Sequence, residues 1–191
     1  MKVVAFNGSG RKESNTQLLL QMVLDELKAE GFDTELIHLA GKTIQGCIVC
    51  NQCMKLKNKR CAIDKDPLND CIAKMLDADG ILLGSPTYFS DVSASMRGLI
   101  ERAGRVGRAN DYMYKHKVGA GVIAVRRAGG IHAFNSLNLF FLYSQMIVPG
   151  SSYWNIGIGR EPGDVQKDAE GVQTMKTLGQ NMARLLKKVG K

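Results

Sequence analysis

The chain contains no apolar stretch that approaches the length needed to cross a bilayer, although 45% of its 191 residues are hydrophobic. Its first apolar segment ends at Phe6, which is too short for the hydrophobic region of a secretory signal. We therefore expect a cytoplasmic protein without membrane contacts. A chain of this length is sufficient for one α/β core, so residues 1–191 are expected to form a single domain.

Aromatic residues (6%) and histidines (three) are also scarce. Basic residues without interleaved aromatic side chains do not form a stacking platform, so we expect no nucleic-acid partner despite a net charge of +8. The histidines lack ligand spacing, and no Ser/His/Asp set or carboxylate pair indicates hydrolysis. Eight basic residues between positions 97 and 127 indicate either an unevenly charged surface or attraction for an anionic partner, such as an acidic electron-transfer protein or the phosphates of NADPH.

Short apolar segments alternate with helical patterns along the chain. Segments such as residues 3–6 are apolar throughout, which is typical of strands buried on both faces of a parallel sheet. The alternation predicts an α/β fold with a doubly wound parallel sheet, helices on both faces, and a ligand site where the strands end. The predicted strands cover residues 3–6, 34–39, 80–84 and 118–125, with a short fifth strand near residues 147–148.

A glycine-rich segment, residues 7–16, connects the first predicted strand to a helix. Its glycines allow the backbone to approach an anion, and the hydroxyls of Ser9, Ser14 and Thr16 supply donors beside the helix N-terminus. The dinucleotide fingerprint fails because Glu13 occupies its third glycine position, and the Walker pattern is absent. The segment therefore predicts a site for a terminal phosphate monoester, which FMN carries.

Four of the five cysteines lie within fifteen residues, at positions 47, 50, 53 and 61. Thiols at intervals of three residues can point into one volume, as in bacterial ferredoxins, whereas structural zinc sites usually use two separated Cys-x-x-Cys pairs. A four-iron cluster is the best fit to this spacing. A redox-active dithiol or disulfide, a zinc ion and inert packing remain open alternatives. Cys71 stands apart among apolar residues and is expected to be a core residue.

Two motifs connect the sequence to a known family. The segment Gly8-Ser9-x-Arg11-x-x-Ser14-x-Thr16 is the first, and Gly84-Ser85-Pro86-Thr87-Tyr88-Phe89 followed by Met96-Arg97-Gly98 is the second. With this spacing and β/α order, the chain resembles the NADPH-dependent FMN reductase and iron–sulfur flavoprotein branch of the flavodoxin-like superfamily. The resemblance covers nearly the whole chain and implies a flavodoxin-like five-stranded parallel sheet in the order 2-1-3-4-5.

The resemblance also implies which residues bind the cofactors. FMN phosphate is expected at the first motif, the isoalloxazine ring at the second, and the pyrimidine edge of the ring near the end of the fourth strand. The compact cysteine spacing is similar to that of iron–sulfur flavoproteins, which implies a [4Fe–4S] cluster in a cysteine-rich loop at residues 42–65. The implied phosphate ligands are Ser9, Arg11, Ser14, Asn15 and Thr16; the implied ring contacts are Pro86, Thr87, Tyr88, Phe89, Arg126, Gly129 and Gly130; the implied cluster ligands are Cys47, Cys50, Cys53 and Cys61.

These implied sites predict an electron-transfer oxidoreductase in which FMN receives electrons from NAD(P)H or a reduced ferredoxin and exchanges them with the cluster. The chemistry belongs to FMN, so no side chain is expected to act as a catalytic acid. A cluster-free NAD(P)H-dependent reductase of FMN or quinones, and a non-catalytic flavin or thiol redox sensor, are the alternatives. The family further implies a homodimer or homotetramer.

Overall fold

A computed structural model describes residues 1–11 and 13–190 and contains one five-stranded parallel sheet. The strands are β1 (Lys2–Asn7), β2 (Asp33–His38), β3 (Gly80–Pro86), β4 (Val118–Val125) and β5 (Ile156–Ile158). Their order across the sheet is β2-β1-β3-β4-β5, which confirms the predicted flavodoxin-like order. The strand order reverses between β1 and β3, so this fold places its ligand site beside their carboxyl ends.

Helices cover both faces of the sheet, as predicted. They are α1 (Asn15–Ala29), α2 (Gln52–Leu56), α3 (Leu68–Asp77), α4 (Ala94–Ala109), α5 (Gly130–Tyr143) and α6 (Ala169–Val189). One core cluster joins α1 and α6 to the sheet, and the other joins α3, α4 and α5 to the opposite face. In the part of the chain that the structure describes, every helix is too short or too polar to cross a membrane.

Strands β1 and β4 show why the interior segments are almost entirely apolar. All eight residues of β4 are buried, as are residues 3–7 of β1, because helices cover both sides of each strand. Two serines then cap the helices that begin beside the strand ends. Ser14 Oγ accepts a hydrogen bond from Gln17 N at 3.1 Å at the start of α1, and Ser93 Oγ accepts one from Met96 N at 3.3 Å at the start of α4.

The predicted position of the fifth strand, near residues 147–148, is wrong. Ile147 forms only an isolated parallel bridge to Val118, and β5 instead pairs Ile156–Ile158 with the end of β4. The apolar pair at 147–148 gave a stronger local signal than the Ile-Gly-Ile sequence of β5. The position of β5 matters for the ligand site, because the loop that follows β5 lies at the edge of the sheet where the other strands end.

Candidate functional site

A cleft of about 350 Å³ lies at the carboxyl ends of the strands, and we call it the strand-end cleft. Nine of the twelve predicted cofactor-binding residues line it, and they come from the loops after β1, β3 and β4. The lining consists of Ser9, Arg11, Ser14, Asn15, Thr16, Pro86, Thr87, Tyr88, Ala124, Arg126, Gly159, Arg160 and Glu161. Four loops that are distant in sequence, those after β1, β3, β4 and β5, thus line one site at the place where the fold predicts it.

The loop after β1 is held in place by close backbone packing. Gly8 N donates a hydrogen bond to Gly84 O at 2.8 Å, and Ser93 Oγ donates to Gly8 O at 2.7 Å. A Cβ atom at Gly8 would lie 3.0 Å from both Gly84 O and Met96 Cβ, so a larger residue would push the loop off β3. The predicted phosphate-binding segment is therefore attached to β3 and to the start of α4.

Two buried hydroxyls in the strand-end cleft lack hydrogen-bond partners among the described residues: Thr16 Oγ1 and Thr87 Oγ1. Thr16 is only 1% exposed, and a buried hydroxyl without a partner destabilises the protein unless a ligand satisfies it. Thr16 lies in the first turn of α1, where the backbone amides favour an anion, while Thr87 lies on the opposite loop. The two hydroxyls fit a ligand with an anionic end and a polar body, as FMN has.

The loop after β5 closes the strand-end cleft, and the sequence analysis missed it. Asn15 Nδ2 donates to Glu161 O at 2.9 Å, and Asn15 Oδ1 accepts from Gly163 N at 2.9 Å. Asn15, a predicted phosphate ligand, therefore also fastens this loop to α1. Gly159 permits the close approach, since a Cβ atom there would lie 2.9 Å from Asn15 Nδ2. Correct placement of β5 would have identified the Gly-Arg-Glu segment that follows it.

The loop after β3 places its two aromatic residues differently. Tyr88 lines the strand-end cleft and pairs with Asp91, with Tyr88 N donating to Asp91 O at 2.8 Å. Phe89 has a positive φ of 48°, is fully exposed and does not line the cleft.

Asp91, in the same loop, accepts several hydrogen bonds. Ser136 Oγ and Val92 N both donate to Asp91 Oδ1 at 2.7 Å. Burial raises the Asp91 pKa, but these hydrogen bonds and that from Arg97 outweigh it and hold the pKa below its usual range.

The predicted residues after β4 also divide between two clefts. Arg126 lines the strand-end cleft, whereas Gly129 and Gly130 line a neighbouring cleft with Tyr153 and Trp154. Gly129 has a φ of 81°, and a Cβ atom there would lie 2.7 Å from Ser90 Cα. This glycine therefore allows the loops after β3 and β4 to contact each other.

The cysteine loop, residues 42–65, brings its four thiols to the wall of one small cavity. Cys53 lies in α2 and is buried, Cys50 is exposed, and Cys47 and Cys61 are intermediate; all are free thiols. Within residues 1–11 and 13–190, no three Cys, His, Asp or Glu side chains are grouped as ligands of a single metal ion. Each thiolate of a four-iron cluster binds a different iron, so its four sulfurs surround a larger body than one ion. Four cysteine thiols on one cavity are the donor set that such a cluster would require.

Arg102 of α4 lies beside this cavity and is 1% exposed. Its Nη2 lies 3.3 Å from Cys61 Sγ and donates to Ile63 O at 3.0 Å, while its Nη1 donates to Gln45 O at 3.2 Å and pairs with Asp66. Burial alone lowers the pKa of Arg102, but the hydrogen bonds to Asp66 and Cys61 outweigh burial and raise the pKa above its usual value. The guanidinium therefore stays charged.

Cys71 is a core residue, as predicted, and differs from the loop cysteines. It lies on α3 and is 3% exposed. Burial raises the pKa of its thiol to about 11 from 9.0. A thiol that stays protonated at neutral pH is a poor nucleophile and a poor metal ligand, so Cys71 does not take part in the cysteine site.

Comparisons with known proteins identify the family and support the fold. A family model described as NADPH-dependent FMN reductase matches residues 1–161. An iron-sulfur flavoprotein of Methanocaldococcus jannaschii is 38% identical over 200 residues, which cover 100% of each chain. An iron-sulfur flavoprotein of Archaeoglobus fulgidus is 36% identical over 173 residues, covering 88% of this chain and 83% of the relative. A solved flavodoxin, the WrbA-like protein from Agrobacterium tumefaciens, has a TM-score of 0.68 at 13% identity over 98% of this chain and 97% of its own.

Proposed function

The chain belongs to the NADPH-dependent FMN reductase family and is an FMN-dependent oxidoreductase, and we propose that it exchanges electrons between bound FMN and a [4Fe–4S] cluster. The observation that carries the proposal is the presence of two separate sites in one chain. The strand-end cleft offers two unpartnered buried hydroxyls, and the cysteine loop offers four free thiols around one cavity.

The strand-end cleft supports binding of FMN in one orientation. Ser9, Ser14 and Thr16, with the amide groups at the start of α1, would hold the phosphate. Tyr88 and Thr87 would lie beside the ring, where an aromatic face and a hydroxyl can stack on it and donate to it. FMN supplies a centre that handles both a hydride and single electrons. The chain's own residues would bind it and orient it.

The cysteine loop supports the cluster through its thiols and their surroundings. Cys47, Cys50, Cys53 and Cys61 would each bind one iron. The two relatives described above carry iron-sulfur flavoprotein in their names. Cys50 is exposed, so the cluster would be open to solvent on one side, where a redox partner could approach. NAD(P)H or a reduced ferredoxin is the proposed electron donor.

A cluster-free NAD(P)H-dependent FMN or quinone reductase is the second candidate. It is favoured by the small volume of the cavity between the four cysteines, about 20 Å³. In that case the thiols of the cysteine loop would act as a redox pair or only pack the loop. The strand-end cleft has the same role in both candidates.

We also propose a homodimer or homotetramer in the cytoplasm. Leu139, Leu142 and Tyr143 on α5, with Trp154 nearby, are large apolar side chains that are at least half exposed. A cluster of this kind supports self-association because exposed apolar surface is costly in water. Free thiols in every described cysteine are in line with a reducing compartment. Light scattering of the purified protein tests the oligomeric state.

The test of the main proposal is anaerobic purification followed by a visible spectrum and assays for iron and acid-labile sulfide. We expect flavin bands together with about four irons and four sulfides per chain, as a [4Fe–4S] cluster requires. Flavin without iron or sulfide would reject the cluster and support the second candidate. Mixing with NADPH or NADH under argon then tests the donor. Bleaching of the flavin identifies a nicotinamide donor, and its absence with both nucleotides favours ferredoxin.

A further inference from the structure

The side chain of Arg102, which extends from α4, contacts both ends of the cysteine loop. It reaches Gln45 before the first cysteine, and Cys61, Ile63 and Asp66 at the far end. Gln45 N also donates to Asp66 Oδ2 at 3.3 Å, so the two ends of the loop contact each other as well as the guanidinium. One side chain of α4 thus contacts both ends of the loop and, at the same time, a predicted cluster ligand.

A buried ion pair is an unfavourable choice if holding the loop is its sole role. Arg102 is 1% exposed and Asp66 is 9% exposed, so both charges have lost much of their hydration. Apolar residues of similar volume often stabilise a protein as well as or better than a buried pair of this kind. The charge is therefore expected to serve something besides the stability of the loop.

The two edges of the guanidinium face different groups. Nη1 pairs with Asp66, whereas Nη2 faces Cys61 Sγ at 3.3 Å and, in the part of the chain that the structure describes, has no acidic partner of its own. Hydrogen bonds to ligand sulfurs and nearby charge are among the features that set the reduction potential of an iron–sulfur cluster. Reduction adds one negative charge to the cluster, which a nearby cation stabilises and a nearby anion destabilises.

We propose that Arg102 is a positioning residue that raises the reduction potential of the cluster through Cys61, and that Asp66 moderates this effect. The inference rests on the proposed function, since it requires the cluster. Arg102 favours the reduced cluster by its charge and by its N–H group directed at the sulfur of Cys61. Asp66 opposes it because its carboxylate withdraws part of that charge from the side facing the cluster.

Arg105 provides a matched control on the same helix. It lines the same cavity three residues after Arg102, but its Nη2 donates to Asn51 Oδ1 and, among the described residues, it makes no hydrogen bond to sulfur. Both residues carry the same charge near the four thiols. A difference between them therefore isolates the contact with Cys61 from the general effect of a positive charge.

The experiment measures the one-electron midpoint potential of the cluster from its EPR signal in the full-length protein, with iron and sulfide content determined first. Arg102→Gln is expected to reduce the equilibrium constant for cluster reduction roughly tenfold, a shift of about 59 mV to more negative potential. Asp66→Asn is expected to shift the potential to more positive values. Arg102→Lys retains the charge and is expected to restore most of the loss, whereas Arg105→Gln changes the potential much less than Arg102→Gln.

Shifts of the midpoint potential in opposite directions in Arg102→Gln and Asp66→Asn support an electrostatic effect on the cluster. A purely structural role would shift both potentials in the same direction. Fully loaded variants with unchanged potentials, or with shifts of the same sign, overturn the inference. If Arg102→Gln fails to bind iron, the potentials of Arg102→Lys and Asp66→Asn test the inference instead. If none of the three variants binds iron, the inference is overturned and the pair has a structural role alone. A wild-type protein without iron rejects the proposed function instead, which the initial assay reveals.

Discussion

The strand-end cleft lies at the strand ends and the cysteine loop lies against α4, and the two are held in shape by different interactions. The cleft is built from strand ends and helix starts, with backbone hydrogen bonds such as Gly8 N to Gly84 O. The loop contains a five-residue helix, α2, and several residues with positive φ, including Val49 and Asn51. Its hydrogen bonds to the rest of the chain are made largely by side chains, including those of Arg102, Arg105 and Asn69.

This difference indicates that the two sites form in different ways. The sheet positions the strand-end cleft before any cofactor binds, because the cleft residues follow elements whose register is fixed. The cysteine loop has left-handed residues that cost energy and thiols that are not grouped around a single ion within the described residues. A bound cluster would supply the missing contacts, so its binding should stabilise the loop more than FMN stabilises the cleft.

The largest expected effect is the loss of one site without the other. Cys53→Ser removes the buried thiol of the cysteine loop, and we expect iron and sulfide content to fall to near zero while FMN remains bound. The cleft does not contact Cys53, so flavin absorbance per protein should equal that of the wild type. Metal analysis and the visible spectrum measure both.

Cys71→Ser is the control for that change, because its thiol lies in the core on α3 and does not line the four-cysteine cavity. It should retain its iron. Full iron content in Cys53→Ser, or an equal loss in Cys71→Ser, would contradict the assignment of the ligands.

Gly98→Ala tests how closely α4 holds the cysteine loop. A Cβ atom at Gly98 would lie 2.4 Å from Ile44 O, a backbone atom that cannot move without shifting the start of the loop. We expect the free energy of unfolding to fall by about 2–3 kcal/mol, since overpacking in a close contact has costs of this size. Iron content should fall as well, while FMN affinity changes little. Urea unfolding and iron analysis measure the two effects.

Gly104→Ala is the matched change on the same helix. The nearest atom to a Cβ there is Phe140 Cδ2 at 3.5 Å, an ordinary contact, and alanine favours a helix more than glycine. The free energy of unfolding should rise by about 0.5–1 kcal/mol. If both variants lost the same stability, close packing of Gly98 on the loop would not be the cause.

Thr16→Val tests the strand-end cleft alone. Thr16 Oγ1 has no partner in the described residues, so its removal should not lower the stability of the FMN-free protein. A hydrogen bond to a charged group contributes about 1.5–3 kcal/mol, so FMN affinity should fall tenfold or more. Riboflavin, which lacks the phosphate, should bind both proteins equally. Fluorescence titration with each flavin measures the difference.

Thr87→Val is the comparison for the phosphate assignment, because Thr87 Oγ1 is also unpartnered but lies on the loop after β3. It should weaken binding of FMN and riboflavin by the same factor. Equal losses of both flavins in Thr16→Val would place Thr16 at the ring rather than at the phosphate.

The smallest effect concerns Cys71, which belongs to neither site. Its pKa of about 11 in the folded protein exceeds the ordinary 9.0, so the folded state holds the proton more tightly. The stability due to the neutral buried thiol is present below pH 9 and is lost as the pH rises towards 11. Linkage gives a loss of about 1.4 kcal/mol at pH 10, absent in Cys71→Ala. Urea unfolding at pH 8 and pH 10 measures it.

Ile72→Val is the control for this pH effect, since it alters the adjacent core residue on α3 without removing a titratable group. Its pH dependence should equal that of the wild type. A Cys71→Ala protein that loses as much stability at pH 10 as the wild type would show that ionisation of this thiol is not responsible.

The sequence predicted the fold and most of the strand-end cleft for a physical reason. Strands buried on both faces must be apolar throughout, and loops that bind phosphate need glycines and hydroxyls in a short segment, so both leave local patterns. β5 was misplaced because three residues at a sheet edge leave almost no pattern. The loop that contains Arg160 and Glu161, which closes the cleft, was missed for that reason.

The sequence by itself determined the order of β and α elements, the glycine- and hydroxyl-rich segment after β1 and the spacing of the four cysteines, because each depends on residues close together in the chain. The tertiary structure alone decided that Phe89 lies outside the strand-end cleft, that Asn15 fastens the loop after β5, and that Arg102 meets Cys61 across 41 positions. Such contacts depend on how α4 packs against the sheet and the cysteine loop. Packing brings together residues that are far apart in the chain, and such contacts leave no local sequence pattern. Only the folded chain therefore shows which charged side chain lies beside which thiol.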